Sequence, residues 1–208
     1  MSNKLIYIIR HGETDFNRLG IVQGSGVDMP LNEKGQQQAQ SFYSYYKSIR
    51  FNKIYTSALI RTQQSVLPFI EAGFKYSAHA ELNEISWGIF EGKPQSEEER
   101  AIYWDVVNSW KNGSLNAKIK NGESAYELQS RQKPFIQNLF RQEKEECVLI
   151  CMHGRAMKSF LCTLLNEPLS DMEKYDHSNL CLYLVDFDGE KCSLLKHSDT
   201  THLQVGAI

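Results

Sequence analysis

The chain has 208 residues, of which 41% are hydrophobic and 23% are charged, and its formal net charge is −2. This composition excludes a disordered or fibrous protein, and the length is sufficient for one sizeable hydrophobic core. A net charge this close to zero gives no reason to expect nucleic acid or an anionic membrane as a partner.

Cysteine usage and hydropathy favour a cytoplasmic protein. The five cysteines show no paired spacing, which favours reduced thiols over a disulfide framework or a zinc site. No apolar stretch approaches about 20 residues, so no transmembrane helix is expected. The apolar run that precedes Arg10 is too short for the core of a signal peptide.

The first part of the chain alternates between strand and helix patterns. The apolar run 5–9 does not alternate with polar residues, which is typical of a strand buried on both faces. The predicted elements are a strand at 5–9, a long loop at 13–32, a helix at 33–50, a strand at 53–56, a helix at 58–71 kinked by Pro68, and a strand at 74–78.

The second part continues this alternation and ends in a hairpin signal, Asp188-Gly189. We predict one domain, 1–208, folded as a three-layer α/β/α sandwich with a mostly parallel sheet and one antiparallel edge strand. Its predicted elements are a helical insertion at 82–122 over the active-site end, a helix at 124–145 kinked by Pro134, a strand at 147–152, a helix at 155–165, and strands at 180–187 and 191–197.

Two buried strands end directly in a histidine followed by glycine. His11 follows the first strand, and His153 follows the strand at 147–152. Ligands of open α/β sheets bind at the carboxyl ends of the strands, so these histidines meet there if the two strands are neighbours. Arg10 and Arg61 lie at the same predicted edge and would supply planar donors suited to a phosphate dianion.

These features form an ordered series of motifs across the chain. The series resembles the histidine phosphatase superfamily, also called the phosphoglycerate mutase-like family, between residue 5 and about residue 187. The motifs that carry the resemblance are Arg10-His11-Gly12-Glu13-Thr14 with Asn17, Gln23-Gly24, Leu31-Asn32-Glu33-Lys34-Gly35 with Gln38-Ala39, Ser57-Ala58-Leu59-Ile60-Arg61-Thr62, Leu82-Asn83-Glu84 with Gly88 and Glu91-Gly92, Gly122-Glu123-Ser124, and His153-Gly154.

The resemblance implies a role for each matching position. His11 matches the family nucleophile, which becomes a phosphohistidine, and Glu84 matches the general acid of many members. The other implied catalytic positions are Arg10, Arg61 and His153. The implied substrate-binding positions are Thr14, Asn17, Gln23, Gly24, Trp87 and Gly154.

The chemistry of these residue types is coherent on its own terms. A nucleophilic imidazole must be neutral, and nearby arginines lower its pKa while they attract the phosphate. We expect two arginines and a charged His153 to offset the phosphoryl oxygens, with no metal and no cofactor. The partly apolar sequence around Glu84 favours its protonated form, as a general acid requires.

Three functions are compatible with this site. The first is a phosphatase acting on small phosphorylated metabolites, and the second is a 2,3-bisphosphoglycerate-dependent phosphoglycerate mutase. Mutases of this family carry an Arg-Arg pair in a longer insertion, whereas residues 93–122 contain a single arginine, Arg100. The third is a phosphate-binding relative without activity, which the intact set of site residues disfavours. We therefore predict a phosphatase, as a monomer or a homodimer.

Several other residues are assigned default roles. Arg155, Lys158 and Lys93 could line the substrate mouth, but solvated surface is the default for such residues. His177 is assigned a surface or packing role because it shares no spacing with the other histidines.

Overall fold

The structure is a computed structural model, and it describes residues 3–204. The protein contains one six-stranded sheet. Its strands are β1 (Lys4–Arg10), β2 (Lys53–Ser57), β3 (Tyr76–His79), β4 (Cys147–Met152), β5 (Leu182–Phe187) and β6 (Cys192–Asp199). The strand order is β3-β2-β4-β1-β5-β6. The first four strands pair in parallel, and β5 pairs antiparallel with both β1 and β6. The predicted mostly parallel sheet with an antiparallel hairpin at one edge is confirmed.

Helices cover both faces of this sheet, as the predicted sandwich requires. They are α1 (Asp15–Leu19), α2 (Glu33–Tyr46), α3 (Ile60–Ser65), α4 (Leu67–Glu71), α5 (Glu97–Lys111), α6 (Ala125–Arg141) and α7 (Gly154–Leu164). A 3-10 segment, Leu169–Lys174, follows α7.

Alternation along β1 divides the core between the two faces. Ile6 and Ile8 pack with side chains of α6 and α7, whereas Tyr7 and Ile9 pack with those of α2 and α4. Successive side chains of a strand point to opposite faces, so an unbroken apolar run is required when both faces are covered. The first predicted strand has this pattern for that reason.

The predicted insertion, 82–122, shares the core of the sheet. Leu82, Trp87 and Trp110 are buried in the same cluster as Ile8. Helix α5 begins with a capping box at Ser96, whose hydroxyl accepts from the backbone N–H of Glu99. Because its apolar side chains are buried against the sheet, the insertion is held in a fixed position.

Two differences from the sequence prediction change the number of helices. The predicted loop 13–32 contains the short helix α1, which begins after a capping box at Thr14. Helix α1 buries no residue, so its sequence has no apolar periodicity that could predict it. The predicted helix 58–71 breaks at Val66 into α3 and α4, and Pro68 lies in the first turn of α4, where a missing N–H costs nothing.

Helix α6 continues through Pro134 and ends at Arg141, four residues earlier than predicted. Within residues 3–204, no helix is long and apolar enough to span a membrane.

Candidate active site

The carboxyl ends of β1 and β4 bring the two histidines together. Arg10 pairs with Met152 in the parallel register, and the backbone N–H of His11 donates to the carbonyl of Met152 at 3.0 Å. The ring centroids of His11 and His153 are 5.1 Å apart. The strands are therefore neighbours, and we use the name phosphate pocket for the group formed by His11, His153, Arg10 and Arg61.

Hydrogen bonding fixes which nitrogen of His11 can react. Its Nδ1 lies 2.7 Å from the carbonyl oxygen of Gly12, which can only accept, so Nδ1 carries the proton. The Nε2 of a neutral ring then keeps its lone pair. The loop is fixed by two further bonds: the N–H of Gly12 donates to Ser65, and the amide of Asn179 donates to the carbonyl of His11.

The surroundings of His11 keep its ring neutral. Burial lowers its pKa well below the usual range, and the charges of Arg10 and Arg61 lower it further. The side chain is only 3% exposed. A neutral imidazole with one free nitrogen is the form that a nucleophile requires.

Arg61 links the second histidine to the loop before α2. Its Nε donates to Nδ1 of His153 at 3.2 Å, and its Nη groups donate to the carbonyls of Val27 and Gly24 at 2.6 and 3.2 Å. The residue is fully buried, and burial lowers its pKa to about 10, so it stays charged at neutral pH. The guanidinium is thereby fixed before any phosphate arrives.

His153 is neutral in this arrangement, which corrects the expectation of a charged ring. Its Nδ1 accepts from Arg61, so Nε2 carries the proton, which it donates to Ser57 at 2.8 Å. Burial lowers the pKa of His153 well below the usual range, and the charge of Arg61 adds to the effect. The positive charge of the pocket comes from its arginines.

Arg10 contributes a donor that lacks a protein acceptor. Its Nη1 donates to the carbonyl of His177 at 2.5 Å, while its buried Nε has no hydrogen-bond partner within residues 3–204. A buried donor without an acceptor is destabilising, so such a group marks a place where a ligand can bind. The packing role assigned to His177 places it beside the pocket, because this residue contacts Arg10 and lies against Gly154.

Glu84 is joined to the first turn of α7. Its Oε2 accepts from the N–H of Arg155 at 3.0 Å, and its Oε1 accepts from Ala156 and Ile85 at 2.8 and 2.9 Å. The backbone N–H groups of Arg155 and Ala156, in the first turn of α7, therefore bind Glu84. Oε2 accepts one hydrogen bond and Oε1 accepts two.

Arg131 holds the segment that carries Glu84. Its guanidinium donates to the backbone carbonyls of Glu81, Asn83 and Glu84 at 2.7, 2.8 and 2.9 Å. It also forms a salt bridge with Glu123, with 2.8 Å between Nε and Oε1. Arg131 is a positioning residue that the sequence analysis did not identify.

Three predicted substrate contacts form one polar network. Thr14 accepts from the amide of Gln23 at 2.7 Å and from the backbone N–H of Asn17 at 3.1 Å. The Oδ1 of Asn17 accepts from the amide of Asn179 at 3.2 Å, and the same amide reaches the carbonyl of His11. The structure thus brings these residues to the loop that carries His11, where much of their hydrogen-bonding capacity is already used.

The other three predicted contacts lie around the pocket. Gly24 accepts from Arg61, and Gly154 packs so closely on His177 that a Cβ there would lie 3.1 Å from its ring. Trp87 is buried, with its ring stacked on that of Trp110 at 5.7 Å between centroids.

Arg155 and Lys158 are buried, so the solvated-surface interpretation is wrong for both. They are 5% and 6% exposed, whereas the Lys93 side chain is 48% exposed. Both partner the carboxylate of Glu173, which belongs to the 3-10 segment after α7. No local pattern in residues 169–174 indicates that this segment covers them.

Sequence reasoning missed the residues that orient the pocket. Ser65 and Asn179 belong to no motif, and Ser57 was part of a motif but was assigned no role; each of the three bonds to a partner 53 to 168 positions away in the sequence. Ser57 follows the predicted strand 53–56 directly, and this position at a strand end is the signal that could have identified it. No group of three or more His, Cys, Asp or Glu side chains that could hold a metal ion was found among residues 3–204. Independence from metal stays a prediction.

The fold and the pocket define a class of α/β enzymes that handle phosphate. The sequence matches the family model "Histidine phosphatase superfamily (branch 1)" over residues 6–200. The chain therefore belongs to this superfamily.

Curated relatives include both a phosphatase and a mutase. Fructose-2,6-bisphosphatase TIGAR B of Danio rerio is 30% identical over 157 residues, which cover 73% of this chain and 57% of that protein. The protein named "Probable phosphoglycerate mutase GpmB" of Yersinia enterocolitica is 29% identical over 98% of this chain and 96% of its own length.

A solved structure has the same fold. The alpha-ribazole phosphatase of Shigella flexneri superposes with a TM-score of 0.83 at 23% identity, covering 94% of this chain and 96% of that chain.

Proposed function

We propose that the protein is a phosphatase that hydrolyses small phosphorylated metabolites through a phosphohistidine on His11. The observation that carries the proposal is the state of His11: a buried, neutral ring whose Nδ1 is bonded to Gly12 and whose Nε2 keeps its lone pair, beside the guanidinium groups of Arg10 and Arg61. Phosphoryl transfer asks the protein mainly for positioning and charge stabilisation, and both are present.

The reaction has two steps. In the first, Nε2 of His11 bonds to phosphorus while the bond to the leaving oxygen breaks, and Glu84 gives its proton to that oxygen. In the second, Glu84 takes a proton from water, the water oxygen bonds to phosphorus, and the phosphorus–nitrogen bond breaks. Inorganic phosphate leaves, and both His11 and Glu84 return to their starting forms.

The pocket arginines stabilise the charge of the transferring group. Arg61 is fixed by three hydrogen bonds, and Arg10 offers a buried Nε that lacks a protein acceptor. Donors already in position need no reorganisation during the reaction, which is the main source of electrostatic catalysis. Thr14, Asn17, Gln23, Gly24, Trp87 and Gly154 are proposed to position the substrate. The reaction as proposed uses no cofactor.

Removal of the nucleophile tests the proposal most directly. We expect His11→Ala to lower the turnover of p-nitrophenyl phosphate by a factor on the order of 10⁴, because no other group can replace the nucleophile. The matched control is His197→Ala, which removes an exposed histidine of β6 and should retain activity. Equal turnover by wild type and His11→Ala would contradict the proposal and leave a non-catalytic phosphate-binding protein.

Hydrolysis is favoured over mutase activity because residues 93–122 lack an Arg-Arg pair. The similarity to the GpmB protein is the observation on the other side. The two activities separate when 3-phosphoglycerate is supplied with 2,3-bisphosphoglycerate. A phosphatase releases inorganic phosphate, whereas isomerisation without net release would identify a mutase.

The setting of this activity is also part of the proposal. The predicted substrate is a small phosphorylated metabolite, and the enzyme is expected to act in the cytoplasm as a monomer or a homodimer without nucleic acid or membrane partners. Chromatography with light scattering would decide between the two oligomeric states.

A further inference from the structure

Two buried cations lie on the helix that follows His153. Arg155 and Lys158 are three positions apart in α7, so their side chains leave the same face of the helix. They are 5% and 6% exposed, which is rare for these residue types. Burial lowers the pKa of Lys158 to about 8, and the charge of Arg155 contributes to this shift.

A single carboxylate bridges both cations. Oε1 of Glu173 contacts the guanidinium of Arg155, and its Oε2 lies 3.0 Å from Nζ of Lys158. Within residues 3–204, no other carboxylate forms a salt bridge with either of them. The Glu173 side chain is itself 29% exposed, so solvent reaches the carboxylate that covers the pair.

The Arg155–Lys158 pair lies beside the phosphate pocket. The backbone N–H of Arg155 donates to Oε2 of Glu84, which is the proposed proton donor. On the other side, His177 contacts both the guanidinium of Arg10 and the backbone of Gly154. Glu84 and His177 therefore both contact α7 on the side where it adjoins the phosphate pocket.

Aromatic rings fix the guanidinium of Arg155. It lies 5.9 Å from the ring of Trp87 and 5.7 Å from that of Trp110, and its Nη2 is 3.4 Å from the hydroxyl of Tyr103. These residues belong to the insertion, and each is in ring contact with another of them. A guanidinium held in this way is preorganised for one planar acceptor.

We propose that Arg155 and Lys158 form a carboxylate-binding subsite for the leaving group of the substrate, and that Glu173 occupies this subsite until the substrate displaces it. The inference rests on the proposed phosphatase function of the adjacent pocket. Because Glu84 protonates the leaving oxygen, the rest of the leaving group extends past Glu84, and the cation pair begins there.

The bound group is assigned as a carboxylate because the protein already supplies one in that place. Glu173 engages an arginine and a lysine through its two oxygens, so a substrate carboxylate can make the same contacts. The substrate class is therefore a short phosphomonoester that carries a carboxylate on its leaving group.

A matched pair of substrates tests this assignment. 3-Phosphoglycerate and glycerol 3-phosphate share the phosphorylated three-carbon chain and differ in whether carbon 1 is a carboxylate or a hydroxymethyl group. We expect kcat/KM for phosphate release to favour 3-phosphoglycerate by a factor on the order of 10 to 100, as one charge-assisted contact supplies. A ratio near one would overturn the inference.

Three variants distinguish a subsite from a structural ion pair. Arg155→Met and Lys158→Met should each bring the ratio of kcat/KM for 3-phosphoglycerate to kcat/KM for glycerol 3-phosphate towards one. Glu173→Gln should lower KM for 3-phosphoglycerate several-fold while KM for glycerol 3-phosphate stays the same, because it removes the competing charge. A structural role predicts instead that Glu173→Gln impairs both substrates equally. Lys174→Met is the control, since it removes an adjacent exposed cation that pairs with Glu167.

Failure of this inference can be told apart from failure of the proposed function. If the protein turns over p-nitrophenyl phosphate but its kcat/KM values for 3-phosphoglycerate and glycerol 3-phosphate are equal, the subsite is contradicted and the proposed function is not. If no substrate is turned over, the proposed function fails, and calorimetric binding of the two compounds to His11→Ala still decides the subsite. Tighter binding of 3-phosphoglycerate supports it, and equal binding overturns it.

Discussion

The phosphate pocket and the neighbouring Arg155–Lys158 pair are built in opposite ways. The pocket lies at the ends of β1 and β4, and its arginines donate to neutral acceptors, which are backbone carbonyls and His153. The pair belongs to α7, is enclosed by the insertion and the 3-10 segment, and is neutralised by Glu173. One region keeps its positive charge available, and the other covers it with a carboxylate.

This difference separates chemistry from selectivity. A phosphoryl group is common to every substrate of such an enzyme, so its binding groups can be fixed by the sheet. The leaving group differs between substrates, and the segments that surround it, the insertion and 169–174, connect regular elements rather than form the sheet. Variants of the pocket should therefore affect all substrates, and variants of the pair should affect some.

After removal of His11, the largest effect is expected at Arg61. Arg61→Ala should lower kcat/KM by a factor on the order of 10³ for every phosphomonoester, because it removes fixed donors from the transferring group. The control is Arg18→Ala, an exposed arginine of α1. Thermal unfolding should accompany the kinetics, since Arg61 also holds the carbonyls of Gly24 and Val27. A loss confined to carboxylated substrates would end the distinction between the two regions.

Glu84 lies where the two regions meet, and its variant should discriminate by leaving group. Glu84→Gln should lower kcat/KM for glycerol 3-phosphate by a factor on the order of 10², because an alkoxide needs a proton to leave. The loss for p-nitrophenyl phosphate should be much smaller, since nitrophenolate leaves unaided. The ratio of the two losses does not depend on how much protein is folded. Equal losses would mean that Glu84 only supports α7.

Acid should destabilise the pocket. Burial holds the pKa values of His11 and His153 well below the ordinary value of about 6.5, so the unfolded chain binds more protons below that pH. Their contribution is complete above that pH and is lost as the pH falls. Between pH 6 and pH 5, the free energy of unfolding in urea should fall by about 1 kcal/mol for each histidine. His153→Gln should reduce the slope of the free energy of unfolding against pH. An unchanged slope would contradict the burial of His153 as a neutral ring.

The smallest effect is expected at the Arg155–Lys158 pair, as a change in KM for 3-phosphoglycerate when the pH rises. Burial lowers the pKa of Lys158 to about 8, so its charge is lost above that pH. The other charged groups that face it are Arg155, Glu173, Asp176 and Glu84. We expect KM for 3-phosphoglycerate to rise several-fold between about pH 7 and about pH 9, with KM for glycerol 3-phosphate unchanged. Parallel pH profiles for the two substrates would contradict this assignment.

The sequence identified the parts of the site that depend on strand ends. His11 and His153 could be placed because each follows an apolar run buried on both faces, and such runs have a recognisable pattern. Arg61 could be placed because it begins a helix directly after β2. Local sequence patterns suffice when the position of a residue is set by the strand that precedes it.

The parts that the sequence did not identify depend on segments that meet only in the folded chain. Asn179 reaches His11 across 168 positions, and no local pattern reports that distance. Arg155 and Lys158 have the composition of a solvated helix face, and they are buried because the insertion and the segment 169–174 cover them. The neutral state of His153 depends in the same way on Arg61 and Ser57.

The strand order also has a consequence for synthesis of the enzyme. β1 pairs with β4 and β5, whose last residues are Met152 and Phe187, so neither partner strand is complete while most of the chain is translated. His11 is therefore made among the first residues, and its surroundings are assembled among the last. Premature termination before residue 182 leaves one edge of β1 unpaired, and such edges are prone to aggregation. A nascent chain should thus acquire activity only near the end of its translation.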